Sequence, residues 1–351
     1  MNKSLASHGQ IIWALFVTRT KEFYRDRGAL LWSMLLPICI VAAIAIAFSG
    51  KGQELFRVGV YQSGSAVISE KLLEQPFVET VNYDNFEKAL VRVRHHQLDL
   101  LLATDQPGKY WINETSVKGI AAEKLLLAHL DPISKGGADT EWSRQLVSGQ
   151  QIRYVDWVIP GVLGMNVMFG ALFGIGFVIV RYRKNGVLKR LQVTPVTPLE
   201  FLTAQVLSRL LVMMITAAVV YIGCDLFLNF VMLGNYLLLA LVAVLGIFAM
   251  ITLALIIASR TASEELANGL LNFAAFPMLL LSEVWFSLDN APAWLQAVSQ
   301  CFPLTHMVQA ARDIMMSGAG FVEVSHHLLV MTLMSGVFLA VAAYLFRWNE
   351  R

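Results

Sequence analysis

Charge is scarce in this chain. Only 15% of its 351 residues are Asp, Glu, Lys or Arg, against about 25% in ordinary soluble domains. With 56% hydrophobic residues, the composition points to a membrane protein. The net charge of +2 is too small to argue for a nucleic-acid partner. Cysteine is nearly absent as well. Cys39, Cys224 and Cys301 lie far apart in apolar stretches, which excludes a disulfide framework and a metal-ligand spacing and reads as buried small hydrophobes. No G-x-x-x-x-G-K-[ST] occurs, so no segment can cradle nucleotide phosphates. The period-2 alternation of a barrel strand is missing too.

What charge there is lies unevenly. Residues 50–156 hold 12 Lys/Arg and 14 Asp/Glu, and the other 244 residues share the remaining 26 charges. A water-facing module is therefore inserted into an apolar chain. Crossing the hydrocarbon core takes about 20 helical residues, and six segments qualify: 29–48, 157–180, 210–230, 236–258, 266–281 with an extension toward Leu288, and 328–346. In lipid each must satisfy its own backbone groups, so all six are expected as helices. The expected fold is a polytopic α-helical membrane protein, six transmembrane helices with an inserted extracytoplasmic α/β domain.

Basic residues orient it. Fourteen Lys/Arg fall on one side: in the N-terminal tail, in the link holding Arg181, Arg183, Lys184, Lys189, Arg190 and Arg209, after the fourth segment, and at the C-terminus. The opposite short segments offer only Arg312. Both termini are expected in the cytoplasm and residues 50–156 outside. The first apolar run is too long for a cleaved signal peptide, and the tail before it is 28 residues long and contains Glu22 and Asp26, so it reads as an anchor. Residues 1–28 carry Ile11, Ile12, Leu15, Phe16 and Phe23 near one face. That suits an amphipathic helix lying in the interface or packed on protein, and the sequence does not separate the two.

The module alternates strand and helix patterns: strands at 56–61, 78–83, 98–103 and 109–113, helices at 65–73, 85–95 and 119–130, then a return linker at 131–149. His95 and His96 are adjacent and diverge on a helix, which argues against shared metal ligation. Ser63 and Ser65 lack a paired base for hydrolysis.

The link at 181–202 reads RYRKNGVLKRLQVTPVTPLEFL. Gly186 permits a sharp turn, Val187 to Leu191 can form a short helix, and Pro195 and Pro198 fix the exit. Apolar Val187, Leu188 and Leu191 amid Lys189 and Arg190 suit docking on a protein better than a plain basic loop does.

The string from Gly186 to Pro198 resembles G-t-l-x-R-L-x-x-T-P-v-x-p, a pattern of permease subunits of type-2 ATP-binding-cassette exporters, which move drugs, polysaccharides and lipids. A second string, residues 276–315, is similar to that family's F-P-x-x-x-x-S-G…P-x-W-L…P-l-t-h…R, with Pro277, Ser282, Pro292, Trp294, Pro303, Thr305, His306 and Arg312 on matching positions. Glu283 stands where the family usually has glycine, and Ser287 where it usually has proline. The resemblance implies residence in a bacterial inner membrane and a second permease copy, in a homodimer or a paralogous heterodimer. It also implies an ATPase subunit that supplies ATP hydrolysis, with no cofactor bound directly by this chain. It assigns ATPase coupling to Gly186, Leu188, Arg190, Leu191, Thr194, Pro195 and Pro198, and a re-entrant element to residues 276–315.

Ionisable and polar groups within apolar runs are candidates for the substrate pathway: Glu283, Asp225 and Asn272, with Trp285 and Phe286 beside the first. Gly170 and Gly174 form a G-x-x-x-G spacing that suits close helix packing. Two other classes stay open on the residues alone: a membrane-anchored sensor whose outer domain binds a ligand, and a lipid-modifying enzyme, for which no polar cluster at one membrane face is found. A secondary transporter would want charged pairs in mid-membrane and repeat symmetry, and neither is evident.

Overall fold

The computed structural model describes residues 5–47, 56–61, 77–103, 109–129, 143–149, 152–194, 196–261, 263–288 and 291–345. The chain divides into two compact units, Phe48–Tyr154 and the remainder.

In the inserted unit, β1 (Phe56–Tyr61), β2 (Val78–Tyr83), β3 (Leu100–Ala103), β4 (Lys109–Asn113) and β5 (Ser143–Val147) form one sheet in the order β2-β1-β3-β4-β5. The pairs β1–β2, β1–β3 and β4–β5 are parallel and β3–β4 is antiparallel. The unbroken apolar run of β3 is explained by burial on both faces. Leu100 and Leu102 join Val58, Tyr110, Ile112, Ala122 and Leu126 on the face covered by α4 (Val117–His129). Leu101 and Ala103 join Trp111, Ala89 and Val93 on the face covered by α3 (Phe86–Arg94). Asn85 caps α3 by accepting from the Lys88 N–H. The expected linker at 131–149 contains β5, which pairs along all of β4. Its pattern of half-buried and exposed residues carries no apolar run to announce a strand. The expected helix at 65–73, Ser63, Ser65 and the rest of the linker lie outside the described residues.

In the other unit, α1 (Leu5–Arg25) and α2 (Arg27–Ala47) precede α5 (Tyr154–Ala171), a π-helical stretch (Leu172–Phe177), α6 (Val178–Lys184) and the short α7 (Val187–Gln192). Then follow α8 (Pro198–Leu228), α9 (Tyr236–Arg260), α10 (Glu264–Leu281), α11 (Ala293–Ser299), α12 (Pro303–Ser317) and α13 (Phe321–Leu345). α9 is the central helix: Ile247, Met250, Ile251 and Ala254 are fully buried, and α8, α10, α12, α13 and the π stretch all pack on it. Among the described residues five helical stretches are long and apolar enough to cross a membrane: Leu30–Ala47, Tyr154–Lys184, Leu199–Leu228, Tyr236–Ser259 and Phe321–Leu345.

Two of the expected boundaries that move bear on the site. The third apolar segment, expected at 210–230, belongs to a 31-residue helix that starts at Pro198. Its more polar first turns are shielded by α1, which packs along them. The fifth does not run on toward Leu288, because α10 stops at Leu281 and the chain turns through Ser282 and Glu283.

Candidate functional site

The corner between α6 and α7 is built on Gly186, held at φ 69°, in the left-handed region where a Cβ is penalised. Arg183, buried at the end of α6, donates to the carbonyls of Ala258 at 2.8 Å and Ser259 at 2.9 Å, and to that of Thr261. These groups close α9, whose last carbonyls have no partner within the helix, and a cation there also opposes the helix dipole. The corner is thus fastened to the end of the central helix.

On α7, Leu188 is fully buried, Leu191 half-buried, and Lys189 and Arg190 exposed. Beyond it Val193 is 88% exposed and Leu199 71%. The Thr194 hydroxyl donates to the Leu191 carbonyl at 2.6 Å, which tightens the exit from α7. Pro195 lies outside the described residues. Thr197 and Glu200 form a reciprocal capping box at the start of α8, with Pro198 in its first turn. A polar recess of about 490 Å3, lined among others by Arg183, Lys184, Lys189, Glu264 and Glu265, opens beside the corner.

α1 supports this face from the side, so it packs on protein. His8 Nδ1 meets the Glu200 carboxylate, and the Thr20 and Ser208 hydroxyls are 2.9 Å apart. Tyr182 donates to Glu22 at 2.6 Å while accepting from Arg19 at 2.5 Å. Burial alone would raise the Glu22 carboxyl, but the bonds from Tyr182 and Arg19 hold it below its usual range.

Gly170 and Gly174 do not admit a neighbouring helix backbone. A Cβ on Gly174 would occupy the Arg209 guanidinium, and one on Gly170 the Met213 side chain. Arg209 Nε donates to the Gly170 carbonyl at 2.8 Å, beside the point where α5 gives way to the π stretch. The expected packing motif is a seat for an arginine of α8.

The second candidate region is one polar knot. Glu283 has φ 55°, uncommon for a residue with a Cβ, and it occupies the position where the resembling family usually carries glycine. Arg312 of α12 donates to its carboxylate at 3.2 Å and its carbonyl at 2.8 Å, and lies 3.7 Å from the centre of the Trp157 ring. Gly161 of α5 lets the Val284 backbone pack where a Cβ would stand. Two turns of α12 earlier, Thr305 donates to the Ser299 carbonyl at 2.6 Å and meets the Ser282 hydroxyl at 2.9 Å. His306, 1% exposed, places Nε2 at 2.9 Å from the Gln300 carbonyl and Nδ1 at 3.1 Å from His327 Nδ1. A donating Nε2–H makes its Nδ1 the acceptor of that second bond. Residues of the second sequence motif, from Ser282 to Arg312, therefore bind one another.

Of the five pathway candidates, Glu283, Trp285 and Phe286 share this turn, with Phe286 50% exposed. Asn272 does not bridge helices: its amide bonds the Asn268 carbonyl one turn earlier at 2.8 Å. Asp225 sits in the last turn of α8, where its carbonyl accepts the helix-ending Asn229 N–H. Arg183, Arg209 and Trp157 were not singled out from sequence. The two arginines had a signal, since each adjoins an apolar run and has an apolar environment to answer for.

Comparison with known proteins agrees with the two motifs. Residues 27–344 match the family model described as ABC-2 family transporter protein. The chain is 26% identical to the inner membrane transport permease YhhJ of Escherichia coli (strain K12), over 52% of this chain and 49% of that one. It is 20% identical to the probable multidrug ABC transporter permease YbhS of the same organism, over 95% and 93%. To the daunorubicin resistance ABC transporter permease protein DrrB1 of Streptomyces coeruleorubidus it is 31% identical, over 24% and 31%. The chain thus spans about half the length of YhhJ and nearly all of YbhS.

Proposed function

The chain belongs to the ABC-2 family of transporter proteins, and we propose that it is the membrane-spanning permease subunit of an ATP-driven exporter. Its cargo is an amphipathic, drug-like or lipid-linked molecule, a class in keeping with the drug-related names of YbhS and DrrB1. In this reading the five long spans are joined by α10, 18 residues long, as a sixth. The turn at Glu283 and helices α11 and α12 form a re-entrant element, the α/β unit lies outside the bacterial inner membrane, and both termini lie in the cytoplasm. A second copy completes the pathway, and a separate ATPase subunit supplies the energy.

The observation that carries the reading is the α6–α7 corner. It offers a partner exposed apolar side chains, Val193 and Leu199, beside Lys189 and Arg190. At the same time it is fixed through Arg183 to the end of α9. A push on α7 by an ATPase is then delivered to the central helix without loss in a loose loop. Such a lever is what a subunit lacking its own nucleotide site needs.

The test is co-purification with the cognate ATPase subunit, comparing wild type with Leu191→Asp. The expected result is a complex with wild type and its loss with Leu191→Asp, at unchanged yield of folded permease. Equal complex formation by both would refute the docking assignment, and no complex with either would refute the exporter reading itself.

A further inference from the structure

α2 carries a proline in its middle. Pro37 has no N–H, so the Ser33 carbonyl, one helical turn earlier, loses the partner a regular helix would give it. The missing donor comes from another helix: the Asn166 side-chain amide of α5 reaches the Ser33 carbonyl at 2.8 Å. The Ser33 hydroxyl is used within α2, on the Leu30 carbonyl at 2.9 Å. A carbonyl left open in hydrocarbon is costly, and prolines persist in spanning helices where a neighbour supplies the lost bond.

The packing of α2 differs on the two sides of this proline. Pro37 and Val41 are buried, and Ile38 lies against α8 at Gly223, which has no side chain to keep it off. Ahead of Pro37 the helix is open, with Leu31, Trp32, Leu35 and Leu36 all exposed. α1 ends at Arg25 and α2 starts at Arg27, so the half from Arg27 to Leu36 has a joint at each end, Asp26 and Pro37. Between those joints the Asn166 bond crosses to α5. Segments with few buried contacts are the ones that move, and a proline is where a helix bends.

We propose that Pro37 is a hinge and Asn166 its latch. With the bond to Ser33 made, the half from Arg27 to Leu36 is held to α5. With it broken, a shift of α1 tilts that half about Pro37 while Ile38 and Val41 stay in place. Asn166 is thus a positioning residue that acts through α2. The gap so opened lies between α2 and α5 on the outside of the helices, and it admits an amphiphile dissolved in the membrane. That last step rests on the exporter reading; the hinge and the latch do not. Their test uses neither ATPase nor nucleotide, so it and the docking test can fail separately.

The measurement is the distance between spin labels at Trp32→Cys on α2 and Leu333→Cys on α13, both exposed positions, by pulsed electron spin resonance. The full-length protein is held in lipid nanodiscs with its native cysteines replaced by alanine. Labelled protein is diluted into unlabelled, so that distances within one chain dominate. A main closed distance with a minor displaced one is expected. Asn166→Leu should raise the ratio of displaced to closed about three- to tenfold, the size of one hydrogen bond between membrane helices. Pro37→Ala returns an N–H to the Ser33 carbonyl, so Pro37→Ala and Pro37→Ala/Asn166→Leu should both show the closed distance alone. Loss of a mere packing contact at Asn166 would not be rescued in this way. Asn166→Ser, too short to reach Ser33, replaces Asn166→Leu where the latter does not fold. An unchanged ratio on loss of the amide, or a rise just as large in the Pro37→Ala background, would overturn the proposal. So would a displaced distance that disappears on dilution, since the motion would then lie between two copies.

Discussion

The Arg312 guanidinium is bound to Glu283 twice, at the carboxylate (3.2 Å) and at the carbonyl (2.8 Å) of the same residue. The side chains are only 9% and 14% exposed, so the pair is nearly out of water. It holds a residue with a Cβ in the left-handed region, at φ 55°.

Two substitutions separate the charge pair from the backbone strain. Arg312→Ala strips a nearly buried carboxylate of its guanidinium and should destabilise by about 3–5 kcal/mol. Glu283→Ala and Glu283→Gly remove the same charge, but glycine adopts the left-handed geometry without the steric cost of a Cβ. The glycine variant should therefore melt higher than the alanine variant, by the equivalent of about 1 kcal/mol. Thermal unfolding of the purified proteins decides it: an alanine variant as stable as the glycine one means that φ is not enforced.

The proposed docking face predicts a split between neighbours. Val193 and Leu199 are 88% and 71% exposed, so Val193→Asp and Leu199→Asp should leave stability within about 0.5 kcal/mol of wild type. Each should nonetheless weaken ATPase binding at least tenfold. Leu188 is fully buried, and Leu188→Ala should cost about 2–5 kcal/mol whether or not the ATPase is present. Binding titrations beside melting curves measure both. If Val193→Asp binds normally, the partner surface lies elsewhere.

How far the sequence could lead depended on whether a signal was local. The run Leu100–Ala103 is apolar at every position because both sheet faces are covered, and such a strand is readable on its own. β5, with Ser143, Arg144 and Gln145 in its first three positions, borrows its structure from β4 and has no pattern of its own. Thr197 and Glu200 announce a helix start by local chemistry, yet hydropathy alone begins that span a dozen residues later. Gly170 and Gly174 are visible as a spacing. Their partner, Arg209, lies 39 residues beyond Gly170, and nothing in either segment names the other. The cluster around Ser282 and Arg312 was legible only as a motif. That its members bind one another needed the turn at Glu283 to bring α10 and α12 together.

The Arg209 seat can be tested as a coupled pair. Gly174→Ala places a methyl where the guanidinium lies and should cost about 1–3 kcal/mol through overpacking. Arg209→Ala removes the obstacle but strips the Gly170 carbonyl of its donor. In the double variant the methyl no longer meets a guanidinium, so the two losses should fall short of their sum by about 1 kcal/mol or more. Simple additivity in a double-mutant cycle on thermal unfolding would separate the two sites and return the glycines to a packing role.

A pH dependence should reside in the α/β unit. Asp99, 6% exposed, precedes β3 and accepts the Arg57 N–H at 2.9 Å. Burial raises its carboxyl above the ordinary value, and the Arg57 N–H and nearby cations only partly offset this. A raised carboxyl means that the folded unit prefers the protonated form. That stabilisation is complete below the ordinary value near 4 and is lost as pH rises through the raised one. Asp99→Asn keeps an oxygen for the Arg57 N–H and cannot titrate. Between pH 7 and pH 4, wild type should therefore gain amide protection in β1 and β3 relative to Asp99→Asn, compared at matched pH by hydrogen exchange. A difference that stays constant over that range would mean that another group carries the titration, since Asp99 would then be equally ionised, or equally protonated, in the folded and unfolded chains.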